Sequence, residues 1–288
     1  MKNKTMIKLQ KIKNRLIVIQ VLFLLALLIQ SANSFAEIDI TLRGELTQGG
    51  LIIGVAPKGS KLWLGDKLIA QTDKGEFVFG FGRDAALNQT LRWQSPNKVK
   101  NEMLLQLSER TYKTQSISGV PAKMVTPKKE VTSRIQAETN LVKEARKQHT
   151  DLLFFLDAFK APLEGQITGV YGSQRVFNGV PKRPHYGLDF AAPTGTLVFA
   201  PASGKVTLTH DNMYYSGGTL IVDHGFGVSS TFIHLSEVLV SEGQVIGVGD
   251  AIAKVGSGGR STGPHLDWRV NWFNIRIDPQ LVLNIPQH

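Results

Sequence analysis

Three short stretches carry side chains whose types and spacing could do chemistry together. His185 and Asp189 stand four apart in Pro184-His185-Tyr186-Gly187-Leu188-Asp189. His265 and Asp267 stand two apart in Gly263-Pro264-His265-Leu266-Asp267-Trp268. His234 ends a predicted strand in Thr231-Phe232-Ile233-His234-Leu235-Ser236. Residues i and i+2 of a strand point to one face, so His265 and Asp267 can address one cleft. An extended segment would set His185 and Asp189 on one face as well. Imidazole and carboxylate are good zinc ligands, and catalytic zinc usually keeps three protein ligands and a water. The ion lowers the pKa of that water to about 7. Histidines left uncoordinated nearby can orient the water or stabilise an oxyanion. A lone histidine is more often structural, so it is the joint pattern that points to chemistry.

Residues 166–283 resemble the lysostaphin/LytM-type zinc metallopeptidase domain, which acts on peptidoglycan peptides. The resemblance is carried by His185-x-Gly187-x-Asp189 and by Ala191-Ala192-Pro193-Thr194-Gly195-Thr196 after it. It continues through Ala200-Pro201-Ala202-Ser203-Gly204-Lys205-Val206, Ile221-Val222-Asp223-His224-Gly225, His234-Leu235-Ser236 and Ser261-Thr262-Gly263-Pro264-His265-Leu266. It implies a β-rich core with a long open groove and one zinc ion per chain. It makes His185 and Asp189 the first two ligands, and His234 and His265 the catalytic histidines. The family's third ligand is the second histidine of an H-x-H motif, and this chain has Asp267 there. Two readings stand open. In one, Asp267 is itself the third ligand, since a carboxylate oxygen and an imidazole Nδ1 are both two bonds beyond Cβ; such an oxygen-richer site would accept harder ions such as manganese more readily. In the other, the site has decayed, as in relatives that bind and activate cell-wall amidases. His224 sits in the family's strand-turn pattern without being a ligand. His149, His210 and His288 match nothing and are assigned surface or structural roles.

The elements that must position these residues are mainly β. Residues 166–283 read as a compact antiparallel β domain with frequent Gly and Pro. Residues 37–125 read as a small β-sandwich-like domain, with strands over 38–46, 51–55, 61–64, 76–81 and 90–93. Residues 126–165 read as a helical connector. Within it, 128–149 forms a helix with Val131, Ile135, Leu141, Val142 and Ala145 near one face and Glu130, Arg134 and Glu138 as an exposed ion-paired row. Residues 151–159 form a second short helix. The connector is either a spacer or a cover lying over a groove. The Gly256–Gly263 run lacks a Gly-Lys-Ser/Thr ending and reads as a turn before the His265 strand. Trp268 and Trp272 read as core or groove wall.

The chain begins with an address. Residues 1–36 hold six Lys/Arg and no acid, an apolar run from Leu16 to Ile29, and small residues Ser34 and Ala36 before a cleavage point. This reads as a signal peptide, its apolar part short for a bilayer span of about 20 residues, with an uncleaved N-terminal anchor as the alternative. No later apolar run is long enough to cross. The formal net charge of +10 is largely the leader's; +4 remains for 37–288. That argues against a nucleic-acid partner. Cysteine is absent, which excludes disulfides, thiol nucleophiles and a lipidated cysteine anchor. The expectation is an exported metalloendopeptidase hydrolysing peptide bonds in peptidoglycan stems or cross-links. Resemblance to Gram-negative members places it in the periplasm, with peptidoglycan as partner and a cell-wall amidase or divisome-associated protein as a further candidate.

Overall fold

The computed structural model describes residues 40–148 and 150–286. The leader expected over 1–36, the first residues of the 38–46 strand, His149 and His288 lie outside the described residues. No described helix is long and apolar enough to cross a membrane.

The N-terminal half is built from two antiparallel sheets. One orders Thr41–Arg43, Leu51–Val55 and Glu76–Gly80; the other orders Lys67–Ile69, Lys61–Leu64, Asn88–Gln94 and Lys100–Gln106. The first strand is shorter than the expected 38–46, because Gly44 turns the chain at φ +111° and a methyl there would overlap Leu51 O. Phe77 and Phe79 from the first sheet and Leu62, Leu91 and Leu105 from the second are fully buried. Gly54 lies under the Phe77 ring, where a Cβ would collide with it. Lys100–Gln106 escapes sequence reading because it is an edge strand, with little apolar alternation and with Leu104 left 66% exposed. The Thr114–Ile117 strand escapes for another reason. It pairs in parallel with Gln174–Phe177, about sixty residues on, and no local pattern encodes that partner.

A 16-residue helix, Thr132–Lys147, follows after a 3-10 turn at Lys129–Val131. Ala145 packs on Leu208, Met213 and Ile221, with Val142 beside them. Leu141, expected on this face, is instead 46% exposed. Arg134 pairs with Glu138 at 2.7 Å, and the other Glu138 oxygen accepts the Tyr214 amide at 2.7 Å. Residues 151–159 do not form the expected helix; a 3-10 turn at Phe154–Leu156 is the only helical piece. Tertiary packing overrides the local preference there. Phe155 is buried against Phe226, Phe159 meets His224 edge-on, and the Phe226 amide donates to Thr150 O.

The C-terminal half is mainly one antiparallel sheet of ten strands; Gln174–Phe177 and Val180–Pro181 instead join Thr114–Ile117 in a separate three-stranded sheet. The main path of the larger sheet runs Val245–Ile246, Gly204–Met213, Gly217–Gly225, Val228–Val238, His265–Trp272, Leu188–Ala191 and Gln166–Gly169. The His265–Trp272 strand shows how the register is fixed. Leu266, Trp268, Val270 and Trp272 point one way into the core and are all buried. A one-residue slip would send two tryptophans to the other face, so the alternation pins His265, Asp267, Arg269 and Asn271 opposite them. Lys67 lies 3.7 Å from the Trp272 ring centroid, and Arg110 pairs with Asp278 at 2.8 Å, joining the N-terminal strands to this sheet.

Candidate metal and catalytic site

The strand pairing brings the two motifs side by side. Asp189 lies directly opposite Asp267, and Ala191 opposite His265. His185 precedes the Leu188–Ala191 strand and is held by its backbone: its amide donates to Ser173 O and its carbonyl accepts the Gly172 amide, each at 2.8 Å. Two glycines clear the space. A methyl on Gly187 would overlap Asp267 Oδ1, and one on Gly169 would overlap Asp189 Oδ2. The motif glycine at 187 is therefore a steric requirement of the carboxylate across the sheet.

His185, Asp189 and Asp267 are buried, and one donor atom from each lies within 4.8 Å of the others. His185 Nε2 and Asp189 Oδ1 are 3.0 Å apart, yet neither makes a hydrogen bond. Two buried polar atoms that converge without satisfying each other are costly unless something sits between them. Their chemistry, imidazole and carboxylate, fits a divalent cation with bonds of about 2.0–2.2 Å. His185 Nδ1 is 4.0 Å from Asp267 Oδ2.

Two arginines absent from the sequence reading hold the carboxylates from behind. Arg269 donates Nε and Nη2 to the two oxygens of Asp267 at 2.9 and 2.5 Å. Arg175 Nη2 donates to Asp189 Oδ2 at 3.0 Å. Burial is the largest single influence and works against the charged form of Asp267, but Arg269, His185 and His234 together outweigh it and hold the carboxyl well below the usual range. For Asp189, burial and the neighbouring Asp267 oppose ionisation, while His185 and Arg175 prevail and lower it. Arg269 was legible in principle, since it stands two residues after Asp267 on the same strand face. Arg175 was not, because its approach depends on the fold.

His234 reaches the cleft by a bulge. Gly218 pairs with Leu235 and Thr219 with Ile233, leaving His234 as the extra residue, at φ +66°. Regular alternation would have sent it to the opposite face from Ile233. The bulge and left-handed backbone turn it back, at a conformational cost of about 1–3 kcal/mol. Its Nδ1 lies 2.7 Å from Gly258 O, so that nitrogen carries the proton. Burial pushes its pKa down to about 4, so the ring is neutral and Nε2 holds a lone pair. His265 Nδ1 likewise donates to Gly263 O at 2.9 Å, and the two imidazole centroids are 4.7 Å apart. All five residues line one open cleft of about 970 Å³. Gln115, Ile117 and Val120 form part of its wall, and no residue of the Thr132–Lys147 helix lines it.

His224 makes a useful contrast. It is fully buried, with Nδ1 2.7 Å from Ser203 O and Nε2 2.8 Å from Ser230 Oγ, so both nitrogens are satisfied. His210 Nδ1 accepts the Asn212 amide at 3.1 Å and lies outside the cleft.

Residues 183–279 match the sequence pattern of peptidase family M23. The chain thus carries a peptidase M23 domain over these residues. The M23 domain is 38% identical over 95 residues to the peptidoglycan DD-endopeptidase ShyB of Vibrio cholerae, a match covering 33% of this chain and 22% of that one. It is 45% identical over 97 residues to the DD-carboxypeptidase/endopeptidase Mpg of Neisseria meningitidis, covering 34% and 22%. The chain thus spans about a fifth of the length of these curated relatives. A crystal structure of a Pseudomonas aeruginosa protein assigned to peptidase M23 aligns with a TM-score of 0.64 at 26% identity, over 83% of this chain and 95% of that one. That likeness extends beyond the M23 domain into the N-terminal strands.

Proposed function

We propose that the chain is an exported, metal-dependent endopeptidase that hydrolyses peptide bonds in peptidoglycan stems or cross-links. The observation that supports it most is the unsatisfied pair His185 Nε2 and Asp189 Oδ1 beside Asp267, in a cleft shared with His234 and His265. His185, Asp189 and Asp267 would hold one zinc ion, Arg269 and Arg175 fixing the orientation of the carboxylates. A carboxylate oxygen has two lone pairs, so Asp267 can accept from Arg269 and still ligate. Bound there, zinc supplies a Lewis acid and a water acidic enough to ionise near neutral pH. His265 and His234 each present Nε2, fixed by the carbonyl at Nδ1. Both Nε2 atoms are acceptors: one takes the proton of the attacking water and can pass it on to the departing amine, and the other accepts a hydrogen bond that holds that water or a substrate N–H in place. The family, the DD-endopeptidase relatives and the leader together favour the periplasm as the place of action.

The test is digestion of purified peptidoglycan by the metal-repleted protein, read as loss of cross-linked muropeptides. Chelation and His265→Ala should each abolish it. Cleavage that survives both overturns the proposal.

A second reading has one observation in its favour. Both oxygens of Asp267 are already taken by the Arg269 guanidinium, which supplies positive charge where the family places an ion. On that reading the chain binds and activates a cell-wall amidase. Absence of stoichiometric zinc, together with amidase stimulation that survives His185→Ala, would replace the first reading by the second.

A further inference from the structure

The cleft carries more positive charge than its acids balance. Among its lining residues are five arginines, Arg175, Arg183, Arg260, Arg269 and Arg276, and two acids, Asp189 and Asp267. Arg175 and Arg269 are engaged by those acids. The other three form no ion pair among the described residues, and a divalent cation would add to the excess.

Two of these three stand at opposite ends of the His265–Trp272 strand. Arg260 lies at the His265 end, its guanidinium 5.0 Å from the Phe177 ring centroid and 4.7 Å from that of Tyr215. Arg276 lies at the other end, paired across to Asn271 and donating Nη1 to Asn271 Oδ1 at 3.0 Å. His265 and Asn271 are six strand positions apart, a span of about 20 Å, enough for five or six residues of an extended peptide. Two further unmet polar groups are buried near this strand but outside the cleft lining. Arg146, from the Thr132–Lys147 helix, donates Nη2 to Thr231 Oγ1 at 2.9 Å, and its buried Nε has no acceptor. Ser229 Oγ, one strand over from Asn271, is buried without a partner too. Burial and repulsion by Arg269 push Arg276 down to about 10, the direction expected of a cation lacking a counter-ion. A planar guanidinium is matched by a carboxylate, which it binds through two parallel hydrogen bonds.

We propose that Arg260 and Arg276 bind substrate carboxylates at the two ends of the cleft, so that it selects peptides bearing free acids on both sides of the scissile bond. This rests on the hydrolase reading above and names its substrate class. Two cross-linked muropeptide dimers test it, alike except that the free stem carboxylates are acids in one and primary amides in the other. Wild-type full-length protein should cleave the acid with kcat/KM at least about tenfold higher, chiefly through KM. Arg276→Gln and Arg260→Gln should each shrink that ratio, and Arg276→Lys should retain part of it, separating lost recognition from lost folding. Equal kcat/KM for the two dimers, or a ratio unaltered in both Gln variants, overturns the proposal. Should neither dimer be cleaved, the hydrolase reading falls, and calorimetric binding of the same two dimers decides the carboxylate claim separately. Tighter binding of the acid upholds it, and equal binding overturns it.

Discussion

The two β-rich halves bury polar groups very differently. In the N-terminal sheets the buried polar side chains are small hydroxyls, Thr47, Ser60, Thr72 and Ser95. Most bond to nearby backbone, as Ser60 Oγ does to Pro57 O at 2.7 Å. In the M23 half the buried polar groups include His185, Asp189, His224, His234 and Asp267, all titratable. Burying an ionisable group costs far more than burying a bonded hydroxyl, so a concentration of them in one cleft marks where a fold trades stability for chemistry. Within the M23 half the contrast sharpens again. His224 has a partner on each nitrogen and belongs to the framework, whereas His185 leaves Nε2 unmet.

The largest effect that would break this contrast is at the unmet group. His185→Ala should abolish zinc binding, measured as bound metal per chain, and lower cross-link cleavage by at least on the order of 100-fold. Retained metal would make His185 a framework residue like His224. Next comes Arg269→Gln, which leaves Asp267 buried with one strong partner fewer. Unfolding in urea should show a loss of about 2–4 kcal/mol in the metal-free protein, partly recovered by zinc, with zinc affinity about 10–100-fold weaker. No recovery by zinc would favour the guanidinium as the resident cation.

His224 gives a pH signature. Burial holds its folded-state pKa at about 4, against an ordinary 6.5. The unfolded chain therefore binds the extra proton first as pH falls. This contribution is fully present above 6.5, is lost progressively between 6.5 and 4, and is constant below that. It should amount to about 3 kcal/mol by pH 4. His224→Gln should flatten that part of the stability–pH curve. The smallest effect belongs to the N-terminal half: Ser60→Ala should cost about 1 kcal/mol or less in thermal unfolding, with cleavage unchanged.

The sequence made some of this legible and hid the rest for definable reasons. Strands with strong local pattern, such as Leu51–Val55, Lys61–Leu64 and, in the main sheet, Gly204–Met213, Gly217–Gly225 and Val228–Val238, can be read directly. The strands at Lys67–Ile69, Lys100–Gln106 and Thr114–Ile117 cannot, because they are short, at an edge, or paired across a long separation. Residues 151–159 look helical by composition, but their phenylalanines are drawn into the sheet core. At the site, the spacing of His265 and Asp267 in one strand fixes their shared face from sequence alone. His234 is different. Counting from Thr231 and Ile233 puts it on the far side, and only the bulge opposite Gly218 and Thr219 brings it round. Arg175 meets Asp189 from the Gln174–Phe177 strand, whose partner across a long separation no motif spacing describes.

The glycine at 187 also constrains this chain's future. A methyl there would occupy the place of Asp267 Oδ1, and one at 169 the place of Asp189 Oδ2. Single substitutions at either glycine are closed unless the facing carboxylate changes first. Positions 187 and 267, and likewise 169 and 189, must drift as pairs, so mutational paths away from this site pass through its carboxylates before its glycines.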